Sequence, residues 1–347
     1  MRSYRLFRDI LFAVFVAAFI RWVSVEPYVI PTPSMEKNLL AGDFLVVSKL
    51  SYGIRFPSTL LQIPLTHGKI WLTGIDSYLD WIQIPSYRLF GGRQVGRGDA
   101  VVFNYPMELE RPPDLRTHYV KRCVALPGDT LLIRAGELYI NGSRIKFPEG
   151  IQYRYELKTS RRLRSRIFER YDIQDVVFEP DGYTINTTPS VAKKLKENPF
   201  VESIERWIYP ASYWDQNIFP KTPIWRWNQD FFGPLVIPKK GMRVHLGDST
   251  LPLYREAILH HEENEIYLEE DGFLYDERDK RLDSYVFQKD YYFMMGDNRY
   301  NSEDSRFWGF VPMTAIVGKP ALVILSFDKN KPWYSNIRWD RLFHIPN

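Results

Sequence analysis

The strongest constraint on the fold is a repeated punctuation, a glycine–acid turn followed at once by a short apolar run. Gly42-Asp43 precedes Phe44-Leu45-Val46-Val47, and Gly98-Asp99 precedes Ala100-Val101-Val102-Phe103. Pro127-Gly128-Asp129 precedes Thr130-Leu131-Leu132-Ile133. Gly136-Glu137 leads through Leu138-Tyr139-Ile140 into an Asn141-Gly142 hairpin turn. Turn-then-strand units with few helical periods between them predict a mainly β, antiparallel architecture. Arg97-Gly98-Asp99 has the form of an adhesion tripeptide, but its position makes it a turn that starts a strand. The apolar fraction of 45% supplies a core, and 347 residues allow one large domain or two ordinary ones.

The N-terminus breaks this pattern. Arg2, Arg5 and Arg8 stand against one acid, Asp9, and Ile10 to Ile20 is unbroken apolar sequence. Through Val25 the apolar stretch is about 16 residues, roughly 24 Å as helix, against ~30 Å for a bilayer core. Arg21 lies where a long side chain snorkels, and Trp22 and Tyr28 suit the headgroup interface. A cleaved leader would need a small-x-small site, and Arg21 to Ile30 is bulky. A buried amphipathic helix would need a polar face, which the run lacks. Residues 10–26 are therefore expected to be a transmembrane anchor. Residues 1–9 are then cytoplasmic and the bulk of the chain lies on the outer side.

Residues 56–93 scatter Leu60, Leu61, Ile63, Trp71, Leu72, Trp81, Ile82, Ile84 and Phe90 among Pro, Gly and Ser. Such a segment is either buried under the sheet or laid against the bilayer. Residues 134–287 read as a long, polar, β-rich insertion. It carries the basic run Arg161 to Arg166 and a turn-rich span with Trp207, Trp214, Trp225 and Trp227. His260-His261-Glu262-Glu263 lacks the i, i+4 histidine spacing of a metal site and reads as a solvated patch. The single cysteine, Cys123, excludes an internal disulfide and a Cys-rich metal site. A net charge of +4, dispersed along the chain, gives no nucleic-acid footprint.

Pro31-Thr32-Pro33-Ser34-Met35 follows the anchor. Two prolines make it a stiff, extended arm ending in a serine near the membrane. A nucleophilic serine needs a base. Of the six histidines, His118 is the nearest to a candidate, because it lies on the strand read over Tyr119 to Ala125. On that strand alternation puts Tyr119, Lys121, Cys123 and Ala125 on one face and Arg122 on the other. A free lysine titrates near ~10.4 and is no base at neutral pH. Burial without a counter-ion lowers it, and a fall of ~2 units takes about 2.7 kcal/mol. The competing reading is a strand-edge cation over a solvent face. The polar loop Gly296 to Arg306 fails as a calcium loop, with Arg299 at an early ligand position and Trp308 at the final acidic one. It reads instead as a hydrogen-bonded brace in which Asp304 pairs Arg306 and Ser302 orients the neutral amine of Lys121.

Five segments occur in a telling order. They are Pro-Thr-Pro-Ser-Met, Gly-Asp-Phe-Leu-Val-Val-Ser-Lys, Arg-Gly-Asp-Ala-Val-Val-Phe, Tyr-Val-Lys-Arg-Cys-Val-Ala-Leu-Pro-Gly-Asp, and the run from Gly296 to Val311. Together they resemble the box motifs of bacterial type I signal peptidases, which are Ser/Lys dyad serine proteases. The resemblance covers roughly residues 5–133 and 288–328. It implies a catalytic β domain over 27–133 and 288–328, the insertion as a subdomain, and a C-terminal tail over 329–347. It further implies Ser34 as nucleophile, Lys121 as general base, and an oxyanion hole from the Ser34 N–H and the Thr32 hydroxyl. Ser302, Asp304 and Arg306 take supporting places, and no cofactor or metal is implied. Thr32 stands where Ser is common, Pro33 where Gly is common, and Tyr300 where Asp is frequent.

The implied substrate is a secretory preprotein whose signal peptide carries small residues at its last and third-last positions. The implied location is the bacterial inner membrane. Two other classes compete. Self-cleaving repressors share the dyad, but no DNA-reading segment precedes it here. A membrane-tethered binding or scaffold protein is the non-enzyme reading.

Overall fold

The computed structural model describes residues 2–346 apart from 64, 65, 67, 71, 72, 90, 91, 148, 330 and 333. The glycine–acid turns lead into strands as expected: Asp43–Ser48, Ala100–Asn104, Thr130–Arg134 and Glu137–Ile140. Gly42 shows why the turn residue is glycine. Its φ is +95°, and a Cβ there would meet the Phe327 carbonyl oxygen at 2.0 Å. The chain divides into two compact units, Met1–Ile30, Gly42–Val120 and Pro312–Asn347, and Pro31–Ala41 with Lys121–Val311.

The first unit is built on antiparallel strands in the order Val25–Val29, Asp43–Ser48, Ile316–Ser326, Ala100–Asn104. Asp43–Ser48 alternates, burying Asp43, Leu45 and Val47. Ala100–Asn104 is buried on both faces, which its continuous apolar sequence requires. Near the C-terminus Arg341 ties down buried Asp43, with Nη2 2.6 Å from Oδ2. Within 56–93, Thr59–Gln62 pairs with Tyr78–Gln83. Leu60, Leu61, Ile63 and Ile82 are exposed and Trp81 is 80% exposed, so these side chains are not under the sheet. Trp71, Leu72 and Phe90 lie outside the described residues.

The expected anchor is helical over Arg2–Val23. The helix stops before Val25, where a strand begins, because Pro27 disfavours helix at Glu26. Residues 24–26 therefore do not belong to it. Leu6, Phe7, Ile10, Leu11, Phe12, Val14, Phe15, Phe19 and Ile20 are all exposed along it. Charged residues occupy both ends, and no helix among the described residues is long and apolar enough to cross a membrane. The Trp22 side chain lies outside those described.

In the second unit, the end of the strand His118–Ala125 pairs with Tyr291–Met295, Phe293 opposite Ala125 and Met295 opposite Arg122. Residues 134–287 are β-rich, as expected. Ser143–Arg144, Glu137–Ile140, Thr130–Arg134 and Phe232–Val236 form one four-stranded sheet, and Val176–Glu179, Gly182–Thr187, Tyr153–Thr159 and Val201–Arg206 form another. The second sheet has its own core around Leu157, Ile185 and Leu195. The first shares a core with Val124, Ala125 and Phe293. The insertion is thus packed against the strand that carries Lys121. The basic run is solvated at Arg161, Arg162, Arg164 and Arg166, with Leu163 turned inward. The His260–Glu263 patch needs correction, because His261 and Glu262 are buried. Glu262 accepts from the Tyr291 and Tyr285 hydroxyls at 2.7 and 2.9 Å and from Gln288 N–H at 2.7 Å. Those distant tyrosines are what give a buried carboxylate its partners.

Candidate active site

Thr32 is extended, at φ −126° and ψ 155°, as a residue before proline must be. Beyond it the segment departs from the expected extended arm: Pro33–Met35 form a 3₁₀ turn closed by Glu36 N–H donating to Pro33 C=O at 3.0 Å. Proline's fixed φ suits a first helical turn as well as an extended chain, so the sequence leaves both open. Met35 in the turn and Leu39 just after it are completely buried, which anchors the segment that carries the serine. Ser34 itself is 6% exposed. Its carbonyl accepts from Asn298 N–H at 3.1 Å, so the loop after Gly296 holds its backbone.

Lys121 is 4% exposed, and its Nζ lies 2.6 Å from Ser34 Oγ. Burial pulls its pKa down to about 8, the nearby Asp304, Glu303 and Asp297 carboxylates opposing the fall. The Thr32 hydroxyl donates to Ser34 Oγ at a long 3.4 Å. His118 packs against Tyr28 in the first unit, the rings tilted at 45° with centroids 4.6 Å apart.

Burial alone would raise the Asp304 carboxyl, but the Arg306 guanidinium beside it and Gly296 N–H keep it below the usual range. Asp304 Oδ1 and Oδ2 take Arg306 Nε and Nη2 at 2.9 and 2.8 Å, and Asp304 also caps the turn Ser305–Trp308. Ser302 is buried, but its Oγ has no hydrogen-bond partner, neither Lys121 nor any other described residue. Tyr300 donates to Asp230 Oδ1 at 2.6 Å, which ties the loop to the insertion.

Three residues of the site carried no assignment in the sequence. Arg122 and Asp297, each 1% exposed, pair bidentately at 2.7 and 2.5 Å. Gly296 packs so closely that a Cβ would lie 2.2 Å from Ser302 Oγ and 2.6 Å from the Ser34 carbonyl oxygen. Gly296→Ala is therefore expected to displace Ser34 and lower kcat by about 100-fold, the scale of misplacing a reacting group by ~1 Å. Full activity in that variant would mean that the contact is not needed.

A buried amine in hydrogen-bond contact with a serine hydroxyl, braced by paired charges, is equipped for nucleophilic catalysis. Among the described residues no cluster of three or more His, Cys, Asp or Glu is arranged to hold a metal ion. Comparison with known proteins bears on the same residues. The family model described as signal peptidase, peptidase S26, matches residues 3–193 and 240–325. It therefore extends well into the insertion, where the sequence offered no motif. The chain is 28% identical over 337 residues to a protein named signal peptidase I from Buchnera aphidicola subsp. Acyrthosiphon pisum, covering 96% of this chain and 79% of that one. It is 23% identical over 350 residues to the signal peptidase I of Rickettsia massiliae, covering 96% and 89%. The signal peptidase I of Haemophilus influenzae is 24% identical over 344 residues, covering 97% and 74%. With that model matching most of its length, the chain belongs to the signal peptidase family, peptidase S26, and is a serine endopeptidase of the type I signal peptidase kind.

Proposed function

We propose that the chain removes N-terminal signal peptides from secretory preproteins, with Ser34 as nucleophile and Lys121 as general base. The observation that carries this reading is the 2.6 Å contact between Lys121 Nζ and Ser34 Oγ at an amine held near pKa 8 by burial. In the working state the amine is neutral and accepts the Ser34 hydroxyl proton while Oγ attacks the scissile carbonyl carbon. The oxyanion takes hydrogen bonds from Ser34 N–H, which has no intrahelical acceptor in a first turn, and from the Thr32 hydroxyl. The Lys121 ammonium then gives its proton to the leaving amine, which departs as the mature protein. Water, deprotonated by Lys121, attacks the ester on Ser34 and releases the signal peptide as a carboxylate. Asp304, held by Arg306, sets the charge around the amine.

The scissile segment adds as a strand beside Lys121, and shallow pockets admit only small side chains at its last and third-last positions. The helix Arg2–Val23, apolar on every exposed face of its middle, and the exposed Trp81 hairpin lie in a lipid bilayer. Its three N-terminal arginines put that end on the cytoplasmic side of the bacterial inner membrane and the site on the other.

The test is cleavage of a model preprotein in liposomes. The neutral fraction of Lys121 at pKa 8 is about 1% at pH 6 and about 90% at pH 9, so kcat/KM should rise nearly 90-fold and level off above pH 8. Ser34→Ala should abolish cleavage with the fold intact. A flat or falling profile, or a fully active Ser34→Ala, would contradict the assignment. Cleavage only of the chain itself would select the self-cleaving reading, and tight preprotein binding without cleavage the scaffold reading.

A further inference from the structure

Within the second unit the insertion grips the loop that holds Ser34. Gln152, itself buried, brackets Asn298 through the backbone: its N–H donates to Asp297 C=O at 2.8 Å, and its C=O accepts from Arg299 N–H at 3.1 Å. Between those two bonds Asn298 N–H donates to the Ser34 carbonyl at 3.1 Å. The chemistry above does not use Asp175, a half-buried residue just ahead of the strand Val176–Glu179. Its Oδ2 accepts from Asn298 Nδ2 at 3.2 Å and from Asn301 Nδ2 at 2.9 Å.

Asp175 is anchored in turn. Its Oδ2 also accepts from Asn186 Nδ2 at 3.3 Å, and its C=O accepts from Asn186 N–H at 3.2 Å. Asn186 lies on Gly182–Thr187, in the sheet with its own core around Leu157, Ile185 and Leu195. A packed sheet is a stiffer support than a loop. On the other side Asn298 is fully buried, and its Nδ2 reaches one further described acceptor, Glu36 Oε2 at 3.5 Å. A contact of that length is weak, so the Asp175 carboxylate supplies most of what the buried amide needs. Asp172 pairs with Lys37 of the serine segment, Nζ to Oδ2 at 2.5 Å, but Asp172 is exposed and such a pair contributes little.

We propose that Asp175 is a positioning residue for the cleavage reaction: through the Asn298 side chain, with Asn301 beside it, it fixes the loop whose backbone holds Ser34 against Lys121. Asp175 bonds neither Ser34 nor Lys121, so its part is geometric. Attack by a serine hydroxyl tolerates little displacement of the reacting oxygen, and a side chain that sets the backbone behind it therefore acts on rate. The inference rests on Ser34 being the nucleophile. It makes the insertion part of the support for catalysis.

Steady-state cleavage of a model preprotein by the full chain in liposomes tests it, with Ser34→Ala measured alongside. Asp175→Ala should lower kcat by about tenfold, the scale of one lost hydrogen bond to a charged group, and leave KM unchanged. Asp175→Asn keeps an acceptor and should stay within about threefold of the wild type. Asn298→Ala should cost about as much as Asp175→Ala, and the double variant little more than either, because both act through one contact. Full kcat in Asp175→Ala, a loss carried by KM alone, or a second loss of about tenfold in the double variant would overturn the proposal. Should Asp175→Ala not fold, full kcat in Asn298→Ala would overturn it instead. A fully active Ser34→Ala would overturn this proposal and the nucleophile together, whereas an inactive Ser34→Ala beside a fully active Asp175→Ala would overturn this proposal alone.

Discussion

Lys121→Met is expected to lower preprotein cleavage by about 10³- to 10⁴-fold and at the same time to stabilise the protein at neutral pH. The two effects share a cause. In the unfolded chain Lys121 titrates at its ordinary 10.5, and in the folded chain at about 8. Between those values the unfolded state binds more protons, so wild-type stability rises with pH across the window. Below pH 8 folding carries the full cost of an amine that burial disfavours when charged, about 3 kcal/mol for such a shift. Methionine has the length and the apolar surface to fill the space and carries no proton. The variant should therefore exceed the wild type in stability at pH 7, and its advantage should shrink by about 2–3 kcal/mol by pH 10. Denaturant unfolding at several pH values measures the gap. A constant gap, or a variant less stable than the wild type throughout, would show that the amine is not strained by its setting.

Asp297→Ala is expected to cost about 3–5 kcal/mol of stability, because it takes the paired carboxylate away from the buried Arg122 guanidinium. Both side chains are 1% exposed and joined by two hydrogen bonds. The loss should spread to activity. Asp297 C=O accepts from Gln152 N–H at 2.8 Å, and the next residue, Asn298, holds the Ser34 carbonyl. Replacing both partners, Arg122→Met with Asp297→Leu, should recover most of the stability, since no orphaned charge then remains. If Asp297→Ala alone were neutral, water would have to reach Arg122.

What could be read from the sequence follows from the range of the forces involved. The strands after Gly42, Gly98 and Gly128 were legible because turn chemistry and side-chain alternation act over a few residues. Lys121 and Ser34 stood out through residue type, order and resemblance to a family. Their contact spans 87 positions and is created by folding alone. The Arg122–Asp297 pair, 175 positions apart, had no local signal. Glu262 looked solvated because the tyrosine hydroxyls that satisfy it lie beyond position 284. The 3₁₀ turn at Ser34 was hidden for a different reason: proline's φ serves two conformations equally.

The central claim is that the interior of this fold keeps the Lys121 amine largely free of its proton at mildly alkaline pH. The most direct measurement is an NMR titration of lysine side-chain nitrogens in ¹⁵N-lysine-labelled protein, wild type against Lys121→Met. A single resonance titrating near pH 8 that disappears in Lys121→Met is the predicted result. If the resonance lost in the variant titrates near the ordinary value of 10.5, the account is wrong.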